Sequence, residues 1–168
     1  MKKLLTTLFL ALLSMGSYAQ EFDFPKSMVM ETEGDFTSFE SKVLEAIAWR
    51  ANTPVNTQVE KRKKVNAFLL QWMSGTPTVS ILVNSKVGAP FMDDPEYLMS
   101  YMVGWTEYSI THNHSKDDKA CAKAAVLHVI DFYEKNKDFL NKRGSIEKLI
   151  KLKKKDKLDE HIAKSLEG

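Results

Sequence analysis

The segment from Tyr97 to Thr111 constrains the fold more than any other part of the chain, because it is apolar around almost its whole circumference. On a helical wheel of about 100° per residue, its aromatic residues form one arc and its aliphatic residues occupy most of the rest. Only a narrow stripe is polar or small, and it consists of Ser100, Gly104, Glu107 and Thr111. A helix with so little polar surface has to be enclosed by other helices. We therefore expect this helix to form the centre of the domain.

Apolar residues at three-and-four spacing predict further helices on both sides of this central helix. The predicted ranges are 36–51, 56–74, 115–136 and, as one or two helices, 144–166. Asp35 or Thr37 would cap the first of them. Gly75 is suited to the left-handed position that often ends a helix, here the second one. The central helix has the clearest start, because Asp94 precedes a proline and an acidic residue in the first turn.

Two short segments lack a helical period. Residues 20–35 are interrupted by Pro25 and predict an extended arm, whereas residues 78–83 are rich in β-branched side chains and are typical of a short strand. A lone strand needs a partner, and the arm at 21–30 is the available one. The predicted fold is thus an all-α, compact bundle of about five helices with a buried central helix, to which a short two-stranded β element is an optional addition. Residues 36–168 would form a single helical domain after the arm.

Residues 1–19 have the pattern of a secretory signal peptide. Two lysines precede an apolar run from Leu4 to Leu13, and small residues precede a cleavage point after Ala19. The run is shorter than the roughly 20 residues that span a bilayer, which favours a cleaved signal over a retained membrane anchor. We expect a periplasmic or secreted protein with no transmembrane segment after cleavage.

The charge of the chain is balanced in sum and uneven in distribution. Loss of Lys2 and Lys3 with the signal peptide lowers the 24 basic residues to 22, which equals the 22 acidic residues. This balance, without a reading motif, argues against nucleic acid as a partner. Residues 20–48 nevertheless carry seven acids and two bases, and residues 141–157 carry eight bases and two acids. The two ends could pair, the basic end could bind anionic lipid or an acidic partner, or both could be solvated helix faces.

The aromatic arc of the central helix is the first candidate binding site. Tyr97, Tyr101, Trp105 and Tyr108 share one face and would contact a hydrophobic ligand, a peptide or a sugar if packing leaves a groove beside them. Because the opposite face is apolar too, the core of the domain is the favoured place for these residues. The ligand-binding hypothesis therefore depends on an opening at this arc.

The connection after the central helix contains two histidines and two aspartates. In extended backbone, His112 and His114 would point to one side and bind a divalent metal ion together with Asp117 or Asp118. A hydrolytic site of this kind would use Glu107 as its base. The alternative is that these are solvated turn and capping residues, in which case no cofactor is expected.

The single cysteine, Cys121, has no partner for an intramolecular disulfide. A free cysteine packs as a small hydrophobic residue, so we expect Cys121 to be buried. The alternative is a contact with His112 or His114 that creates a thiolate pair or a metal site. His128 lies two helical turns away, about 10 Å, which is too far for direct proton transfer.

Between Tyr97 and Leu140 the chain resembles the small exported helical proteins that act as immunity partners of secreted cell-wall amidases in bacterial competition. The matching features are Tyr101-x-x-Gly104 in the central helix, Cys121 after a polar connector, and Phe132-Tyr133 near the end of the next helix. The resemblance implies a periplasmic inhibitor of a toxin.

Catalytic motifs are missing from the sequence. It contains no glycine-rich phosphate loop, no GxSxG elbow, no HExxH and no Cys-x-x-Cys. This shifts the expectation from an enzyme to an exported, non-catalytic binding or interaction protein, whose partner is a protein or a small ligand. A metal-dependent hydrolase and an immunity-type inhibitor are the alternatives.

Overall fold

A computed structural model describes residues 21–83, 86–88 and 90–167. Over these residues the chain forms α1 (Glu33–Asn52), α2 (Val59–Gly75), α3 (Pro95–Thr111), α4 (Asp118–Asn136), α5 (Gly144–Lys154) and α6 (Leu158–Leu166). None of these helices has the length and hydropathy that a membrane span requires. The predicted signal peptide at 1–19 lies outside the described residues, so export stays a prediction.

Helix α3 is the enclosed centre of the bundle, as its sequence predicts. Its buried residues are Tyr97, Met99, Ser100, Tyr101, Val103, Gly104, Trp105, Thr106 and Ser109. The most extensive helix contact in the molecule joins α3 to α4, and α3 also contacts α1 and α2. Helices α5 and α6 pack against α4. The all-α compact bundle is therefore confirmed, with six helices in the described residues because the region 144–166 forms two.

Gly104 allows α3 to approach α4 closely. A Cβ atom at this position would lie 2.5 Å from the Cβ of His128 and 3.0 Å from the Cα of Ala125. Both distances are shorter than van der Waals contact, so a side chain here would push the two helices apart. The narrow stripe of small and polar residues in the sequence thus marks the line along which α3 meets α4.

Helix α1 begins three residues before the predicted start at Phe36. Thr32 is its N-cap, and the Thr32 hydroxyl accepts a hydrogen bond from the backbone N–H of Asp35 at 3.3 Å. The Asp35 carboxylate accepts in return from the backbone N–H of Thr32 at 2.8 Å. This is a capping box in which aspartate takes the place of the more common glutamate. Asp35 therefore lies inside the first turn instead of capping it.

The two-stranded β element is absent from the described residues, which contain no strand. Phe22 of the arm packs instead on Phe68 of α2, with ring centroids 6.0 Å apart. In the segment 78–83, Val79 is buried, and the carbonyl of Leu82 accepts a hydrogen bond from the Tyr101 hydroxyl at 3.0 Å. Both segments bury apolar side chains against helices, so β pairing is not needed to cover them.

Gly75 is the last residue of α2, and it does not have the left-handed backbone that its sequence context predicts. It lies within the helix, and a Cβ atom there would clash with the ring of Phe36, 2.4 Å from Cζ. The left-handed positions of the described residues are Gln58, Asn113, His114 and Asp156. Gly75 is therefore required by the packing of α1 on α2.

Candidate functional site

The aromatic arc of α3 is part of the core. Tyr97, Tyr101 and Trp105 are each no more than 1% exposed. Phe91 stacks on Tyr101 with ring centroids 5.5 Å apart, which fills the space beside the arc. Tyr108 is half-buried and carries the only partly accessible ring of the four. Ligand binding at the arc stays a prediction, and it would require the segment that holds Phe91 to move.

The two histidines after α3 have separate partners. The imidazole of His112 stacks on Tyr108 at 3.8 Å, and its Nδ1 lies 2.9 Å from the Tyr108 carbonyl oxygen. The Nε2 of His114 lies 2.8 Å from Oε1 of Glu40 in α1. Asn113 and His114 both have positive φ, so the extended backbone that would align the two imidazoles is not formed.

The aspartates of the same connection serve the start of α4. Asp117 caps this helix by accepting from the backbone N–H of Ala120 at 3.0 Å, and Asp118 lies in the first turn. Glu107 faces a different region, beside His128. Over the described part of the chain, no group of three His, Cys, Asp or Glu side chains is arranged to hold a metal ion. A metal site at this connection would need a rearrangement of the loop.

Cys121 is a buried thiol. It is fully enclosed, and its Sγ donates to the carbonyl of Ser115 at 3.6 Å. Burial raises the pKa of the thiol, and the nearby carboxylates of Asp117 and Asp118 raise it further. Because the thiolate is the reactive form, this environment makes Cys121 a poor nucleophile.

Two buried arginines, one asparagine and one glutamate form a hydrogen-bonded network. We call it the arginine cluster and define it as Arg50, Arg62, Asn66 and Glu96. The Oε2 of Glu96 accepts from Arg50 at 2.9 Å and from Arg62 at 3.3 Å, while Asn66 donates to Oε1 at 3.2 Å. Arg50 also donates through Nε to Asn66 at 3.0 Å. The cluster therefore joins α1, α2 and the start of α3.

The arginine cluster contains two cations and one carboxylate. Arg62 donates to the backbone carbonyls of Arg50 and Thr53, so its charge lies against the negative C-terminal end of α1. Arg50 lies over the ring of Phe132, 5.2 Å from the centroid. Burial lowers the pKa of Arg50 to about 10, and Glu96 opposes this shift. Arginine keeps its charge at neutral pH, and Glu96 is the carboxylate that pairs with both guanidinium groups.

Ser100 and His128 form a second polar contact, where α3 meets α4. The Ser100 hydroxyl lies 3.0 Å from Nδ1 of His128. Burial, and then the positive charge of Arg50, lower the pKa of His128 to about 4. The imidazole is therefore neutral at physiological pH. Its Nε2 is buried without a hydrogen-bond partner in the described residues, as is Nη1 of Arg50.

The Ser100–His128 pair resembles a nucleophile and its base in composition only. A cavity of about 200 Å³ adjoins His128 and is lined by Ala51, Glu107, His128, Asp131, Phe132 and Lys135. Burial raises the pKa of Glu107, whose side chain forms part of the rim. Ser100 itself is completely buried, so no substrate in the cavity would reach its hydroxyl. The pair serves to align α3 with α4.

Exposed lysines lie on α5 and its flanks. We call this surface the lysine-rich end and define it as the exposed residues Lys142, Lys148, Lys151, Lys154, Lys155 and Lys157. Within the described residues, no carboxylate oxygen lies within 4.0 Å, the limit for an ion pair, of the ammonium nitrogen of any of these lysines. The other two bases of this region are paired, Arg143 with Asp93 at 2.6 Å and Lys153 with Asp131 at 3.6 Å.

The acidic segment does not neutralise the lysine-rich end. Glu21 reaches Lys61 at 3.5 Å, Glu40 reaches His114, and Glu45 pairs with Lys42 one turn away. No ion pair among the described residues joins the segment 21–48 to the segment 141–157. The first of the three interpretations of the uneven charge therefore does not apply to this structure.

The arginine cluster is not among the sites predicted above, although the sequence contains a signal for it. Arg50 lies three residues after Ile47, and Arg62 lies three residues before Val65, so both arginines fall on apolar faces of their helices. A charged residue on a buried face needs a partner of opposite charge. The sequence does not identify that partner, because Glu96 is distant along the chain and close only in the fold.

No family model, no curated protein and no solved structure matches this chain. The function is therefore argued from the geometry of the described residues.

Proposed function

We propose that the protein is an exported, non-catalytic interaction protein that binds an acidic partner through the lysine-rich end. The observation that carries this proposal is a set of exposed lysines on one end of the bundle, none of which lies within ion-pair distance of a carboxylate in the described residues. Like charges held this close repel one another, and a negatively charged partner relieves the repulsion.

The arrangement of α5 supports the proposal. Its apolar residues Ile146, Leu149 and Ile150 are buried against the bundle. Lys148 and Lys151 are three residues apart and lie on the opposite face, and Lys155 follows the helix as its C-cap. The core thus fixes which face of α5 is presented to a partner, and that face carries exposed lysines.

The residues that the sequence offered for catalysis have other roles in this fold. Cys121 is a buried thiol with a raised pKa, His114 contacts Glu40, and Asp117 caps α4. These placements favour binding as the function. An immunity-type inhibitor belongs to the same class, and a toxin with an acidic face would be a suitable partner for the lysine-rich end.

Binding to poly-L-glutamate tests the proposal with a simple acidic probe. The substitutions Lys148→Gln, Lys151→Gln and Lys155→Gln, made together, should weaken binding at least about tenfold, since an exposed ion pair contributes about 0.5 kcal/mol. The matched control is Lys26→Gln, Lys64→Gln and Lys116→Gln, which removes the same charge from other exposed positions. Affinity is measured by fluorescence anisotropy of labelled polymer at two salt concentrations. Equal losses in the two triple variants, or binding that salt does not weaken, would refute the proposal.

A further inference from the structure

The free cations of the lysine-rich end are all ammonium groups. The one arginine in this region, Arg143, is occupied by Asp93 and Asp94. A guanidinium group forms directional, two-pronged hydrogen bonds with a carboxylate or a phosphate, whereas an ammonium group acts as a mobile point charge. A surface made of lysine is therefore suited to a diffuse negative charge more than to one shaped acidic epitope.

The lysine-rich end is also an extended surface. Its lysines follow α5, whose 11 residues rise by about 1.5 Å each, and continue past its C-terminal end. A cavity adjoins its far end, where Lys153 and Asp156 contribute to the lining, and none of the six lysines lines it. Long, extended positive surfaces of this kind fit a broad, flat layer of negative charge.

An exposed aromatic side chain lies close in sequence to the first of these lysines. Phe139 lies in the turn between α4 and α5 and is 54% exposed. Exposed Lys137 and Lys142 lie on either side of it in sequence, with one acid, Asp138, beside it. An aromatic ring next to lysines is typical of peripheral membrane contacts, where the ring enters the headgroup region and the ammonium groups remain at the surface.

From these three features we infer that the lysine-rich end binds a bilayer surface that contains anionic phospholipid. This inference rests on the proposed function and names the partner. The apolar face of α5 is part of the core, so the helix stays folded on the bundle and does not insert. Attachment is electrostatic and reversible, with Phe139 as the one apolar contact.

Sedimentation with vesicles tests the inference. The full chain is mixed with vesicles of phosphatidylcholine alone or of phosphatidylcholine with one third phosphatidylglycerol. Because each lysine near an anionic surface contributes about 1 kcal/mol, the triple variant of Lys148, Lys151 and Lys155 should bind the mixed vesicles about 100-fold more weakly. The control triple variant of Lys26, Lys64 and Lys116 should bind like the wild type. Phe139→Ser should weaken binding several-fold.

Vesicles of phosphatidylcholine alone measure the binding that does not depend on anionic lipid, and the apolar run at 4–13 is unchanged in both triple variants. Equal affinity for the two vesicle types, or equal affinity of the two triple variants for mixed vesicles, would overturn the inference. If the lysines are needed for poly-L-glutamate and not for vesicles, the partner is an acidic protein, and the proposed function stands without the membrane. If they are needed for neither probe, both proposals are wrong. Circular dichroism of each variant verifies that the bundle is intact.

Discussion

Protonation of His128 should destabilise the fold, because this imidazole is held neutral between α3 and α4. Its pKa is lowered to about 4 from its usual 6.5, first by burial and then by Arg50. The unfolded chain therefore binds the proton more tightly than the folded one. The stabilising contribution is complete above about pH 6.5 and is lost as the pH falls toward 4.

The size of the effect follows from the two pKa values. A tenfold difference in proton affinity corresponds to about 1.4 kcal/mol, so His128 alone should lower the free energy of unfolding by about 3 kcal/mol between pH 7 and pH 4. Urea unfolding followed by circular dichroism at several pH values gives this free energy for the wild type and for His128→Gln. The difference between the two curves isolates the imidazole, because Arg50, Glu107, Asp131 and Lys135 surround it in both proteins.

A control variant separates His128 from the other histidines. His112→Gln removes an exposed imidazole and is the matched control. His128→Gln should lose about 3 kcal/mol less than the wild type over the same range. If the curves of the wild type and His128→Gln run parallel, the imidazole is not buried as a neutral group, and the described contact between α3 and α4 is wrong.

Three further predictions concern the core. Gly104→Ala should lower the free energy of unfolding by about 3 kcal/mol in urea melts, because its Cβ would overlap His128, whereas Gly34→Ala, with its nearest neighbour at 3.8 Å, should not destabilise. Glu96→Gln leaves Arg50 and Arg62 buried without a counter-charge and should lower the free energy of unfolding by about 3 to 5 kcal/mol in the same assay. The control Glu60→Gln removes an exposed carboxylate and should lower it far less. Similar losses in the two variants would contradict the arginine cluster. Cys121 should react with a thiol reagent such as dithionitrobenzoate only as fast as the chain unfolds, and rapid reaction of the native protein at neutral pH would show that the thiol is accessible.

Much of the helical architecture follows from periodicity. The run from Tyr97 to Thr111 is so apolar that only an enclosed position satisfies it, and the structure encloses it. The start of α3 is equally readable, because Asp94 accepts from the backbone N–H of Glu96 and Pro95 follows the cap. These features depend on residues that are neighbours in sequence.

The features that the sequence did not predict depend on residues that are distant in sequence. Glu96 meets Arg50 across 46 positions and Arg62 across 34, and no local pattern encodes such a pairing. The segment 78–83 reads as a strand because strand propensity measures side-chain burial as much as backbone preference, and here its apolar residues are buried against helices. Gly75 reads as a helix terminator, while its actual constraint is the ring of Phe36.

The candidate site shows the same division. The lysines of 141–157 are obvious in the sequence, and their accessibility follows from the amphipathic pattern of α5. The carboxylates that lie near these bases depend on the tertiary fold. Asp93 and Asp94 pair with Arg143, and Asp131 pairs with Lys153, which leaves the six lysines unpaired in the described residues. The aromatic arc shows the converse, since its side chains have the chemistry of a binding site and the packing of a core.

Chemical-shift mapping by nuclear magnetic resonance, with small bilayer discs that contain phosphatidylglycerol, locates the surface that binds anionic lipid. We expect the largest backbone amide shifts and line broadening in residues 137–157, while the amides of 97–108 are unaffected. Perturbations centred on Tyr97, Tyr101 and Trp105 instead, with the lysines unchanged, would contradict this expectation and would make the enclosed arc of α3 the binding site.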